Sequence, residues 1–461
     1  MSDRRPPAPT VTAARRVAFD VVRAVHESDA YANLLLPVRI RRAKLSTKDA
    51  ALATELAYGT LRMLGYYDRV IELAAKRDAS AIDPPILDVL RLSTHQLLSM
   101  RVAPHAAVNE GVGLARMVGS RSATGFTNGV LRAITRSTPD DWRDRVLGSA
   151  TNDDERLSLE HSHPVWIVRA LRRALARDGR EDELVDLLRA DNVAPAVTLA
   201  ALPGLAEPTD VGDHPAAFSP YGVYLDGGDP LDVAAVASGT ARVQDEGSQL
   251  AALALTAAMP IEPGEHWLDL CAGPGGKAAL LAAEAARAGA TFTANEIVPA
   301  RADLVREALS AVPGDIEVWQ LDGTTVGGSH PQAFDRILLD APCTGLGALR
   351  RRPEARWRKT PRDVADLAPL QSALLDSAVA ALAPGGVIAY VTCSPHLAET
   401  RAVVEGALAR SDGRLRALDT PVLLQSVALA PLEQPEGDSA VQLWPHRHGC
   451  DAMFIALLTT S

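Results

Sequence analysis

Apolar residues along the first third of the chain recur at helical spacing. Ala18, Val21, Val22 and Val25 stand at i, i+3, i+4 and i+7, so a single helix face carries all four. Ser46 with Asp49 makes a capping-box pattern ahead of Leu52 and Leu56, and Asp83 followed by Pro84 marks another helix start. This pattern predicts about five helices over residues 11–138, with more over 139–185. From 191 to 239 prolines and glycines become frequent, which predicts turns and short strands such as 196–202. Beyond Val243 the pattern alternates. Strand-like runs at 266–270, 291–296, 316–322, 335–341 and 387–392 are separated by helical stretches, and 451–458 reads as a last strand. Alternation of this kind predicts an α/β fold built on a parallel, doubly wound sheet. Thr360, Pro361 and Asp363 start the helix that leads toward Leu382.

At 461 residues the chain exceeds one core. The expected division is an all-α domain over 1–140, a small connecting α+β subdomain over 141–240 and a Rossmann-like domain over 241–461. The centre of the last is the stretch LDLCAGPGGKAA at 268–279, where an apolar strand passes through small residues into a helix. Such turns meet nucleotide-like cofactors at strand ends. A Walker A loop would need Gly at Cys271 and Ser or Thr at Ala278, and Gly273, Gly275 and Gly276 miss the dinucleotide spacing. An adenosine-type cofactor without a pyrophosphate remains, such as S-adenosylmethionine.

Charge changes the picture of the front domain. The chain has a formal net charge of -10, yet residues 1–140 hold 20 Lys and Arg against 13 Asp and Glu. A basic front on an acidic protein points to a polyanionic partner. The run Arg39, Arg41, Arg42 and Lys44 reads equally well as a phosphate contact or as a solvated surface between helices. No apolar run reaches membrane-span length and the charged first thirty residues lack a signal-peptide core, so a cytoplasmic protein with no membrane partner is expected. The four cysteines lie far apart without a C-x-x-C pair, and His161 and His163 have no third ligand at useful spacing. Neither a metal nor a disulfide framework is expected, and the two histidines read as a helix-entry turn before Pro164.

Polar residues gather at the strand ends. Asp269, Glu296, Asp322 and Asp340 each stand at the end of a predicted strand, where a switch-point crevice would collect them. Glu296 is placed for ribose hydroxyls and Asp322 for the adenine amino group. Cys343 and Cys393 follow the fourth and fifth strands, before Gly or Pro turns. One chemistry needs a soft thiolate at such a place: cytosine C5 becomes nucleophilic only after a nucleophile adds at C6. An acid near N3 eases that addition, and a base must later remove the C5 proton.

Two resemblances then appear. AYGTLR at 57–62 and TNGVLR at 127–132 are similar to sequences of NusB-like helical domains, an RNA-binding family, with Asn128 and Gly129 read as helix-packing residues. LDLCAGPGGK, LLDAPCTGLGALRRRPEARWRK, VTCSP and the terminal WPHRHGCDAMFIALL resemble motifs of the Sun/RsmB family of RNA (cytosine-5) methyltransferases over residues 240–458. That resemblance implies Cys393 as nucleophile, Cys343 as the group aiding release of the adduct and Asp340 as the acid near N3. It implies an S-adenosylmethionine pocket lined by Cys271, Ala272, Gly273, Pro274, Gly275, Gly276, Lys277, Glu296, Arg301, Asp322 and Asp340, the thiol of Cys271 serving only as packing. The substrate implied is 16S ribosomal RNA bound by a monomer, with the target base unpaired or flipped out. Thr344 stands where the family commonly has Ser, and PAVTLAALPG lacks the family's Arg-Val-Asn run. The cluster Arg350, Arg351, Arg352, Arg356, Arg358 and Lys359 around Trp357 reads as phosphate contacts and a stacking platform. The same chemistry on transfer RNA, and a non-catalytic RNA-binding assembly factor, are the alternatives.

Overall fold

The computed structural model describes residues 11–28 and 30–460. It divides into two compact units. The first holds the described residues up to Arg169, together with 191–193 and Leu349–Arg358. Its helices begin with Ala13–Ser28, Ala32–Arg42, Thr47–Arg62, Leu64–Ala75, Pro84–Leu98, Pro104–Val118 and Arg121–Ile134. That makes seven among the described residues where the periodicity predicts about five; one of the two extra comes from the one-residue break at Met63, across which the apolar spacing runs on. The predicted face of the first helix is the buried one, with Ala18, Val21, Val22 and Val25 at most 2% exposed. Ser46 Oγ accepts from Asp49 N at 3.2 Å, as the capping pattern requires. His163 is buried with Nδ1 2.7 Å from the His161 carbonyl, and burial holds its imidazole well below the ordinary value. Gly129 corrects the packing expectation: it is exposed, and a Cβ there would meet nothing within 4 Å.

The arginine cluster is the larger correction. Arg356 is completely buried. Its Nη1 donates to Arg62 O at 3.3 Å, Ser162 O at 3.1 Å and Asn192 Oδ1 at 2.8 Å, and its Nη2 donates to Asp191 O at 3.2 Å. Arg358 Nη2 donates to Val25 O at 2.7 Å and Ala30 O at 2.6 Å. Arg350 is also buried, and Trp357 lies so close to Gly65 that a Cβ there would sit 2.3 Å from the ring. The reason lies in the acceptors. Arg62 closes the helix Thr47–Arg62, Ser162 caps Asp153–His161, and Val25 and Ala30 lie at the end of Ala13–Ser28. Carbonyls at helix C-termini lack intrahelical partners and carry the negative end of the helix dipole, so guanidinium groups satisfy both needs. Arg356 and Arg358 are thus taken up by protein acceptors, whereas Arg352 and Trp357 of the same cluster are exposed.

The second unit contains two sheets. Strands β1 (Val197–Ala201), β2 (Gly222–Leu225) and β3 (Ala241–Val243) form a small antiparallel sheet in the order β2-β1-β3. The main sheet contains β4 (His266–Asp269), β5 (Thr291–Asn295), β6 (Glu317–Trp319), β7 (Phe334–Asp340), β8 (Leu382–Thr392), β9 (Leu415–Ala417), β10 (Ala440–Gln442) and β11 (Phe454–Thr460). Its order is β10-β11-β8-β7-β4-β5-β6, with β9 also paired to β11. Strands β4 to β8 are parallel, whereas β11 runs antiparallel to β8, β9 and β10. The Rossmann-like expectation stands, with a mixed rather than wholly parallel sheet. The alternation of each strand fills two cores: Trp267, Leu338 and Val391 on one face, Leu268, Leu339 and Tyr390 on the other. The chain runs outward from β4 through β5 to β6 and then crosses to β7 on the other side of β4. That reversal places a crevice at the carboxyl ends of β4 and β7.

Candidate functional site

The turn after β4 lies in that crevice. Asp269 ends β4 and is buried; its Oδ1 accepts from Cys271 N at 3.3 Å while Oδ2 has no hydrogen-bond partner. Burial, reinforced by the negative charge of Asp340, pushes its carboxyl from 3.8 up to about 8. The folded state therefore holds this proton more tightly than the unfolded chain does. The contribution of this group to stability is full below pH ~4 and is lost as pH rises toward about 8. Asp269→Asn removes that penalty, so the ligand-free variant is expected to be more stable at pH 9 by about 2 kcal/mol. The gap should close toward pH 5 in thermal unfolding scans; a pH-independent difference would refute the assignment.

Ala272, Gly273 and Pro274 carry the chain across the crevice to Gly275 and the helix Gly276–Ala288. The Gly273–Pro274 peptide is cis. Gly273 has no room for a side chain, since a Cβ would lie 2.1 Å from Glu296 Oε2. Gly275 adopts φ +103°, open to glycine and strained for other residues. Glu296, buried just past β5, accepts from Gly273 N at 3.1 Å and from Val298 N at 2.9 Å. Arg301, on the helix Pro299–Leu309, donates to Gly273 O at 2.5 Å. Glu296 and Arg301 thus hold the N–H and the carbonyl of Gly273, on two consecutive peptide groups. Asn295, which the pattern did not single out, donates to the carbonyls of Leu270 and Leu321, each at 3.1 Å, and ties the exits of β4 and β6 together. Asp322 is exposed beyond β6, where Oδ1 accepts from Thr324 N at 3.0 Å; its hydrogen bonds to Thr324 lower its carboxyl. Ile297 and Leu321 present exposed apolar side chains beside these acids.

Lys277, in the first turn of its helix, reaches back across the crevice. Its Nζ donates to Asp340 Oδ2 at 2.8 Å. Burial works against the ammonium, but the Asp340 charge outweighs it and holds the Lys277 value above the ordinary one. Lys277 also interacts electrostatically with Cys393. Cys343 and Cys393 leave the adjacent strands β7 and β8, paired so that Asp340 is opposite Val391. Their Sγ atoms are 3.5 Å apart. The hydrogen bond to Cys393, then burial, drives the Cys343 thiol well above its ordinary value, so it stays protonated at neutral pH. Cys271 is likewise pushed up by burial and by Asp269, which leaves its thiol unreactive.

The turn therefore gathers Asp269, Gly273, Lys277, Glu296, Arg301 and Asp340, and through Lys277 it communicates with the two thiols. Asp322 stands at its outer margin. The arrangement offers a cradle for a small ligand and a sulfur pair at one sheet edge.

Comparison with known proteins agrees with this geometry. The family model described as 16S rRNA methyltransferase RsmB/F matches residues 256–459, and the NusB family model matches 12–136. A protein of Mycobacterium tuberculosis named as a methyltransferase, Rv1407, is 48% identical over 96% of both chains. Ribosomal RNA small subunit methyltransferase B of Salmonella paratyphi B is 32% identical over 87% of this chain and 91% of its own length. The crystal structure of PH0851 matches 98% of this chain and 100% of that one at a TM-score of 0.80 and 20% identity, a likeness of fold. The 32% identity over 87% of this chain, with the matches of both family models, shows that this chain belongs to the RsmB/F family of RNA methyltransferases, with a NusB-family domain ahead of the Rossmann-like fold.

Proposed function

We propose that this protein forms 5-methylcytosine in 16S ribosomal RNA, using S-adenosylmethionine and a covalent adduct between Cys393 and C6 of the target base. The observation that carries the proposal is the pair of thiols 3.5 Å apart at adjacent strand exits, next to the donor turn. The residues present fit the donor. The Gly273 position leaves no space for a Cβ, Asp269 Oδ2 is buried without a hydrogen-bond partner, and Ile297 and Leu321, just past β5 and β6, are exposed apolar side chains. Bound there, S-adenosylmethionine supplies an electrophilic methyl group. Glu296 and Asp322 would hold its ribose and adenine, and Gly273 to Lys277 its amino-acid end.

The chain's own groups divide the remaining work. Cys393 sulfur, in the field of the Lys277 ammonium and the Cys343 S–H, adds to C6, and the electron pair of the C5–C6 double bond is delivered toward N3 and C5. Asp340 is assigned to N3, and in its protonated form it delivers the proton that N3 takes up as the adduct forms. After C5 gains its methyl group, water takes the C5 proton, the C5–H electron pair restores the C5–C6 double bond and the sulfur–C6 bond breaks with its pair on sulfur, which the Cys343 proton stabilises. Cytosine must be out of a stack for sulfur to reach C6. We assign RNA contacts to the NusB-family domain, where Arg41, Arg42 and Lys44 are exposed at the end of the helix Ala32–Arg42, and to the connecting region over 141–240.

Bisulfite sequencing of ribosomal and transfer RNA from cells with and without the gene tests this directly. The expected result is loss of one 16S signal on deletion. A lost transfer RNA signal would redirect the substrate, and unchanged RNA would favour the assembly-factor reading.

A further inference from the structure

Glu399 is a completely buried carboxylate that the proposed chemistry does not use. A buried charge persists only when hydrogen bonds compensate it. Every side-chain partner of this one bears on the segments that carry the thiols. Oε1 accepts from Thr344 N at 2.8 Å and from Gln371 Nε2 at 3.3 Å. Oε2 accepts from Thr344 Oγ1 at 2.5 Å and from Ser394 Oγ at 2.6 Å. Thr344 follows Cys343, and Ser394 follows Cys393. Gln371 also donates to the carbonyl of Pro342, the residue before Cys343, at 2.9 Å. Glu399 is itself anchored: its carbonyl accepts from Tyr390 OH, in β8, at 2.7 Å, and its N–H donates to His396 O at 2.8 Å.

We infer that Glu399 is a positioning residue that sets the separation of the two reacting sulfurs by clamping the residue after each. The inference rests on the reading of Cys343 and Cys393 as the reacting pair. Apart from this common acceptor, the Cys343 loop and the Cys393 loop meet in the 3.5 Å contact of the two sulfurs, in the 3.3 Å contact between Thr344 Oγ1 and Ser394 Oγ and in the main-chain bond from Gly347 N to Cys393 O. The clamp is also electrical. After the hydrogen bond to Cys393 and burial, the Glu399 charge adds to the forces that keep Cys343 protonated.

Two substitutions in the full chain separate clamp from charge. In Glu399→Gln the amide oxygen can still accept from Thr344 N, and the amide NH2 can donate to the two hydroxyls, which then serve as acceptors. Glu399→Ala removes the common partner altogether. With RNA saturating, Glu399→Ala is expected to lower kcat about a hundredfold, since roughly an ångström of misplacement has that cost, and Glu399→Gln about tenfold or less. Titration calorimetry should give donor Kd values within about twofold of the wild type for both. Alkylation of Cys343 by iodoacetamide, followed by mass spectrometry, should move to lower pH in Glu399→Gln as the neighbouring charge is lost. That readout does not depend on turnover. Equal kcat losses in the two variants, a donor Kd that collapses with kcat, or an Ala variant within about threefold of wild type would each overturn the clamp. Should Glu399→Ala fail to fold, Ser394→Ala cuts one arm alone and is expected to cost about tenfold in kcat; an unchanged rate would overturn the inference. Turnover surviving Cys393→Ser would instead defeat the covalent reading and leave the alkylation shift standing.

Discussion

Cys343→Ala is expected to accumulate a covalent complex with RNA that survives denaturing electrophoresis, whereas Cys393→Ser should form none and lose at least ~10³-fold in methylation rate. The two sulfurs differ in what surrounds them. Cys393 interacts electrostatically with the Lys277 ammonium, and its Sγ lies 3.5 Å from that of Cys343. Cys343 keeps its proton, so it is suited to assist the sulfur when the bond to C6 breaks. Removing it leaves adduct formation possible and its resolution slow. A serine at 393 retains shape but is a far weaker nucleophile at neutral pH. Labelled RNA on a denaturing gel, with the wild type and both variants, reads the outcome. Adduct formed by Cys393→Ser, or its absence from Cys343→Ala with Cys393 intact, would overturn the assignment.

The second large effect concerns stability. Arg356→Ala removes four hydrogen bonds from a completely buried position and leaves the carbonyls of Arg62, Ser162 and Asp191 facing a void. Burial lowers the Arg356 guanidinium to about 10, which still leaves it charged at neutral pH. Loss of these bonds is expected to cost about 3 kcal/mol and to lower Tm by roughly 10 °C. Arg356→Lys should recover only part of this, because an ammonium cannot reach acceptors spread around a planar fork. Arg362, with 88% of its side chain exposed, is the control, and its replacement by Ala should change stability by less than about 0.5 kcal/mol. Scanning calorimetry of the three variants decides; an Arg356→Ala transition equal to that of the control would show the cluster to be dispensable.

These two cases mark what sequence reading reaches. Strand exits were legible because apolar runs end where small or polar residues begin, and that located Asp269, Asp340, Cys343 and Cys393 at one rim. The helix start at Thr360 was legible for a local reason as well: Asp363 Oδ2 accepts from Thr360 N at 2.8 Å, a contact only three residues long. Strands β9 and β10 span three residues each and carry no periodic signal. Glu399 escaped notice because a lone glutamate in a short turn has the pattern of a solvated residue; its meaning comes from partners up to 55 positions away. Arg356 and Arg358 of the arginine cluster misled for the mirror-image reason. Local charge density resembles a phosphate-binding surface, and only tertiary structure shows that the anionic partner is the negative ends of helices.

The placement of Arg356 also sets a timetable for synthesis. Its acceptor on Arg62 leaves the ribosome 294 residues ahead of it, and that on Ser162 leaves 194 residues ahead. At about ten residues per second the first of these carbonyls waits roughly half a minute for its partner. The NusB-family domain, although first in the chain, is therefore among the last parts to be completed. A fragment ending at Arg169 would lack its own keystone, and it is expected to unfold at lower denaturant than the same helices within the whole chain.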